Sequence, residues 1–112
     1  YVYENLRSNK VLINPPQGGF YLMPEFINKR YKTSSDLCFD VLKETGVALL
    51  PGSAFGFKPN KMLVRLSFTD FDGGNFLKTV SSSKNISKSD VEKYAPNVVT
   101  GTKILSNWAK SL

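Results

Sequence analysis

Three features of the sequence predict an α+β fold: a small mixed or antiparallel sheet, helices packed mainly on one face, and a long C-terminal helix. The run MLVRLSFT (62–69) alternates in the manner of a strand, with Met62, Val64, Leu66 and Phe68 on one face and Leu63, Arg65, Ser67 and Thr69 on the other. Residues 34–45 carry apolar positions at helical spacing, Leu37, Cys38, Val41 and Leu42, between a capping pair, Thr33 and Asp36, and a terminating Gly46. Val91, Tyr94, Val98, Leu105, Trp108 and Leu112 then mark a helical seam through the end of the chain, with slack near Gly101. At 112 residues there is room for one domain, 1–112, with a modest core.

The remaining elements follow in order. Residues 1–9 read as helix, with Val2, Tyr3 and Leu6 on one side. PPQGG (15–19) is a turn by composition, because prolines restrict the backbone and glycines permit positive φ. GFYLMPEF (19–26) reads as an aromatic-rich strand, ended or bulged at Pro24, with Tyr21 in the sheet core. VALL (47–50) reads as a short buried strand stopped by Pro51, followed by the loop PGSAFGFKPNK. DFDGG (70–74) turns the chain, and SSSKNISKS (81–89) reads as an exposed polar connection. Pro96 either begins the last helix at its first turn or kinks a longer one.

Composition narrows the chemistry. The net charge of +6 admits acidic partners, but the lysines are scattered singly, and the densest cluster, Lys29, Arg30 and Lys32, is too short to make a stripe. A solvated lysine-rich surface is the favoured reading over nucleic acid. A single cysteine, Cys38, placed on the apolar face of its helix, reads as a small buried hydrophobe and suits a reducing compartment. Without histidine, zinc ligation and serine-based nucleophilic catalysis lose their usual parts. Asp70 and Asp72 flank a glycine turn, where capping explains them better than acid–base work. Phe20, Tyr21, Phe55 and Phe57 could stack bases, yet strand and loop aromatics are more often core. PGSAFG matches neither a P-loop nor a dinucleotide fingerprint. No apolar run approaches the roughly 20 residues that cross a bilayer.

Arg65 stands apart. Of fifteen basic residues only Arg7, Arg30 and Arg65 are arginines, and Arg65 sits mid-strand. Pattern alone leaves two readings open: a surface cation, or a guanidinium held on a strand as a rigid fork for a carboxylate, a pairing lysine does not reproduce.

Taken in order, PPQGGFYLMPEF, the capped helix, GVALLPGSAFG and LVRLSF resemble the C-terminal small domain of class I/II, fold type I, pyridoxal-phosphate-dependent aminotransferases. The close resemblance runs from about Val11 to Phe71, and the tail is similar, less specifically, to the last helices of aspartate-aminotransferase-like members. The resemblance implies that Arg65 binds the substrate α-carboxylate and offers Phe55 as a possible pocket wall or a structural loop aromatic. Gly18 and Gly19 only turn the chain. It implies an enzyme that moves an amino group between an amino acid and a 2-oxo acid through pyridoxal 5'-phosphate, as a cytoplasmic homodimer when full length. The Schiff-base lysine and the cofactor-binding residues belong to a preceding large domain. Residues 1–112 are therefore expected to be a fragment with no catalytic residue, no cofactor site and no metal site, inactive alone; a start inside a helix fits a cut between domains. Two alternatives stand beside this: a standalone basic α+β module binding RNA or an acidic protein, and a catalytically dead aminotransferase-like scaffold.

Overall fold

The computed structural model describes residues 1–16, 19, 21–80 and 86–112. Gln17, Gly18 and Phe20 of the first turn and strand, and residues 81–85 of the polar connection, lie outside the described residues. The elements in chain order are α1 (Val2–Leu6), β1 (Val11–Leu12), β2 (Tyr21–Leu22), β3 (Glu25–Phe26), α2 (Ser34–Thr45), β4 (Leu50–Pro51), a 3-10 turn (Gly52–Phe55), β5 (Val64–Ser67), α3 (Gly73–Val80), α4 (Lys88–Tyr94) and α5 (Pro96–Ala109). This is the α+β arrangement expected, with every strand pairing antiparallel.

Helix α1 stops at Leu6 rather than running to residue 9, because Arg7 turns to extended backbone (ψ 136°) and Ser8 and Val11 exchange backbone hydrogen bonds of 3.0 and 3.2 Å across a tight turn. The aromatic strand is split at Pro24, which has no N–H to give a ladder. Its two halves join different partners. Tyr21 and Leu22 pair with Ser67 and Leu66 of β5, while Glu25 and Phe26 pair with Leu12 and Val11 of β1. Buried Pro24 still contributes its carbonyl, which accepts from the Val64 N–H at 2.9 Å; with the Phe26 N–H to Met62 carbonyl bond, also 2.9 Å, it ties the two sheets together.

Helix α2 has the predicted bounds. Thr33 Oγ1 accepts from the Asp36 N–H at 3.2 Å, and Gly46 ends the helix at φ +79°, a conformation that penalises any Cβ. The buried stripe is Ser34, Leu37, Cys38 and Val41. Leu42, expected on this stripe, is instead 51% exposed. At 100° per residue it lies at the stripe's edge, and the true centre is Ser34 and Val41.

Residues 47–49 are not in a strand: β4 begins only at Leu50, and Leu49 is buried while Leu50 points outward, so VALL is not the buried strand expected. β4 stops at Pro51, its last residue, which is tolerated in the ladder because β4 is an edge strand in the order β2-β5-β4. Gly52 then donates its N–H to the Leu63 carbonyl at 2.8 Å, and a Cβ there would lie 2.6 Å from that same oxygen. Only glycine fits this approach. The 3-10 turn it starts ends at Gly56, φ +93°.

Met62, Val64 and Leu66 are buried on one face of β5, toward the helices, while Arg65 is half-buried and Ser67 and Thr69 are exposed on the other. Helix α3 starts inside the expected turn, at Gly73, and runs on through residues 75–80, where no element was expected. Its paired glycines hide it, and the sign of its start is Asp72, whose Oδ1 accepts from the Asn75 N–H at 3.0 Å. The polar connection also ends earlier than residue 89, since Ser87 and Asp90 form a reciprocal capping box for α4. Pro96 begins α5 at its first turn; the chain breaks between α4 and α5 at Ala95.

The core gathers around Phe26, Leu37, Val41, Val64, Leu105 and Trp108. The Trp108 ring meets Phe26 edge-on and Tyr31 stacked, both with centroids 6.0 Å apart. Its Nε1–H donates to Glu44 Oε2 at 2.6 Å, and Arg30 pairs with Glu44 Oε1 at 3.0 Å, so one carboxylate joins α2, α5 and the Lys29–Lys32 stretch. Tyr31 donates its O–H to Asp40 Oδ2 at 2.9 Å; burial, then that carboxylate, push the phenol up to about 12.

Candidate functional site

The outer face of the β2-β5-β4 sheet is built by alternation. Leu22 and Leu66 pair on the core side, so their neighbours Tyr21 and Ser67 pair on the outer side. Leu50 sits opposite Arg65 in the antiparallel register, also facing out. Phe55 reaches the same face from the 3-10 turn. The guanidinium carbon of Arg65 lies 4.3 Å from the Phe55 ring centroid and 5.3 Å from that of Tyr21.

Tyr21 was expected in the sheet core; it is 47% exposed and belongs to this face. The error lies in phase. Read two residues at a time, the buried Leu22 forces Tyr21 outward, and that signal was available once β2 was paired with β5. Phe55 is 41% exposed and packs on Arg65.

What Arg65 lacks is as informative as what it touches. Among the described residues it has no carboxylate partner and no hydrogen-bond acceptor. The other two arginines differ. Arg30 lies 5.2 Å from the Tyr31 ring and also pairs with Glu44, while Arg7 lies 5.1 Å from the Tyr3 ring and donates to its hydroxyl at 3.4 Å. Arg65 touches two rings, and among the described residues its N–H fork is uncommitted.

Other features carry less. A cleft of about 970 Å³ passes Arg7, Leu12, Met23, Phe57, Lys61 and Leu63, but Lys61 is paired with Glu25 at 3.2 Å. Cys38 is buried, and loss of water holds its thiol up at about 11, so it is no nucleophile at neutral pH. Asp72 is occupied as a cap, as its sequence position suggested. Among the described residues no group of three His, Cys, Asp or Glu could hold a metal, and no helix is long and apolar enough to cross a membrane.

The chain is 35% identical over 71 residues to an aspartate aminotransferase of Sulfolobus acidocaldarius, covering 60% of this chain and 18% of that protein. A probable N-acetyl-LL-diaminopimelate aminotransferase of Bacillus subtilis is 41% identical over 68 residues, covering 61% and 17%. Over about 60% of its length this chain is similar to aminotransferases. A second aspartate aminotransferase, from Sulfurisphaera tokodaii, is 34% identical over 71 residues, 60% of this chain and 18% of its own length. The chain thus spans less than a fifth of the length of each of these relatives. No family model matches the chain, and no solved structure matches it significantly.

Pyridoxal phosphate, the cofactor that aminotransferase homology implies, needs an amine, an acid for its ring nitrogen and converging phosphate donors. Around Arg65 the described neighbours are Tyr21, Leu50, Phe55 and Ser67, which offer neither amine nor acid. These residues do not fit the cofactor, and none is assigned to it.

Proposed function

We propose that residues 1–112 form the C-terminal small domain of a pyridoxal-phosphate-dependent aminotransferase and that Arg65 grips the α-carboxylate of its amino acid and 2-oxo acid substrates. The observation that supports this most is the guanidinium on the central strand, packed on two aromatic rings and uncommitted among the described residues. An arginine fork binds a carboxylate through two parallel, charge-assisted N–H···O bonds. With the carboxylate fixed, the substrate amine or carbonyl is held at a set distance and angle, which removes orientational entropy from the barrier. The strand supplies the rigidity: β5 is flanked on both sides by paired strands, so its backbone does not drift when the ligand arrives. Phe55 would form a wall of the pocket.

The cofactor, its lysine and the remaining substrate contacts belong, on this reading, to residues outside this chain, in a full-length cytoplasmic homodimer; the 112 residues alone do not transaminate. The test is the full-length enzyme carrying Arg65→Lys or Arg65→Ala. Its cofactor absorbance should be unchanged while KM rises and kcat/KM falls, by about 2–5 kcal/mol for the alanine variant if a desolvated charge pair is broken. Unaltered kinetics in both variants would remove the carboxylate role.

A further inference from the structure

We propose that Tyr21 is a positioning residue: its ring, together with Phe55, holds the Arg65 guanidinium in place without spending any of its hydrogen-bond donors. This deepens the carboxylate-anchor reading of Arg65 and rests on it.

An arginine has a long side chain with several rotamers, and a carboxylate gains most from a fork that is already placed. Proteins usually fix an arginine with an acid, as Glu44 fixes Arg30 at 3.0 Å. That solution fills the fork. Aromatic rings attract the cation through their electron-rich faces yet offer no carboxylate oxygen, so the N–H edge stays available. Register explains how Tyr21 reaches its target. It pairs with Ser67, which makes Arg65, two residues earlier, its diagonal neighbour on the same face. Diagonal pairs on an antiparallel ladder are within reach of aromatic and long side chains.

The two rings are not equivalent. Phe55 rides on a turn outside the sheet, whereas Tyr21 is fixed by backbone pairing to β5 itself. The Tyr21 hydroxyl has no hydrogen bond among the described residues, so the ring and not the hydroxyl should carry the effect. This also accounts for a large aromatic left 47% exposed on a strand whose next residue, Leu22, is core.

The test uses the 112-residue chain labelled with ¹⁵N, with Tyr21→Phe, Tyr21→Leu and Arg65→Lys variants. The Arg65 Nε–H resonance, assigned by its loss in Arg65→Lys, reports side-chain order through its heteronuclear NOE, and a titration with pyruvate reports carboxylate binding. Backbone amides remote from the sheet check that each variant folds. Tyr21→Phe should keep both the ordered Nε–H and the pyruvate affinity. Tyr21→Leu should lower the NOE and weaken pyruvate roughly 3- to 30-fold, the range for losing one ring–cation contact. Arg65→Lys should abolish pyruvate binding. An ordered Nε–H and full affinity in Tyr21→Leu, with binding lost in Arg65→Lys, overturns the positioning role and leaves the anchor standing. A Tyr21→Phe variant as impaired as Tyr21→Leu moves the role to the hydroxyl and overturns the proposal as stated. Pyruvate binding that survives Arg65→Lys overturns the anchor itself, and the proposal with it.

Discussion

Gly52→Ala offers a sharp test of how the site is supported. The backbone of Gly52 is not in the left-handed region, so alanine meets no dihedral strain there; the conflict is steric. A Cβ built on it lies 2.6 Å from the Leu63 carbonyl oxygen and 3.4 Å from that carbonyl carbon. The obstacle is strand backbone and not a flexible side-chain tip, so β4 and β5 must part. Parting them stretches the 2.8 Å bond from the Gly52 N–H to that oxygen. Overpacking of this kind costs about 1–3 kcal/mol, and a weakened backbone hydrogen bond about 1 more. Gly52→Ala should therefore lose about 2–4 kcal/mol, read by urea unfolding as a lower midpoint at constant slope. Gly101→Ala is the matched control. Gly101 is inside α5 with nothing within 4 Å of a built Cβ, so the same added methyl should stabilise by about 0.5–1 kcal/mol through helix propensity. Opposite signs for one chemical change are the expected result. If the two variants unfold at the same midpoint, the close approach at Gly52 is not a constraint, and the reason given for its identity fails.

Gly46→Ala should cost about 1–2 kcal/mol in the same urea assay, because the helix end holds φ at +79°; a neutral result would show that α2 can end without this turn. Leu37, fully buried on α2, should lose about 2–5 kcal/mol on substitution by alanine, measured by thermal or urea unfolding, whereas Leu42→Ala on the exposed side of the same helix should change little. The Cys38 thiol, held up at about 11 against an ordinary 9.0, ionises later in the folded chain than in the unfolded one. Its contribution is complete below pH 9 and is lost as pH rises toward 11, so stability should fall through that window in wild type and less in Cys38→Ala, after each is normalised to its own value at pH 7. Iodoacetamide at pH 8 should accordingly label native Cys38 about 100-fold more slowly than the unfolded chain, the ratio of thiolate populations.

The parts of the fold that were legible in the sequence are those where local chemistry and tertiary demand agree. Thr33, Asp36 and Gly46 delimit α2 because capping and positive φ act within a few residues, and Pro96 opens α5 for the same reason. The alternating run around Val64 exposed both the core face of β5 and the odd position of Arg65. What stayed hidden depended on pairing. GFYLMPEF looks continuous as a string, and nothing local says that its halves join different strands on either side of Pro24. That division decides the outward facing of Tyr21. Helix α3 was concealed because Gly73 and Gly74, poor helix formers, open it, and only the Asp72 cap marks the start. Within the site, Arg65 could be singled out by composition, since arginine is scarce here; its aromatic company could not, because Tyr21 and Phe55 lie 44 and 10 positions away in the chain (65 − 21 and 65 − 55).

The central place of β5 gives the two sides of the arginine different lifetimes. Amides of the paired strand exchange with solvent only when the sheet comes apart, an opening close to global unfolding in free energy. Phe55 is carried by a single 3-10 turn outside that ladder, closed by Gly52 and Gly56, and such a turn can open locally while the sheet stays intact. The cation thus has a slow floor and a fast cover: its base keeps its position for as long as the domain is folded, and the phenyl ring above it can swing aside on the timescale of loop motion.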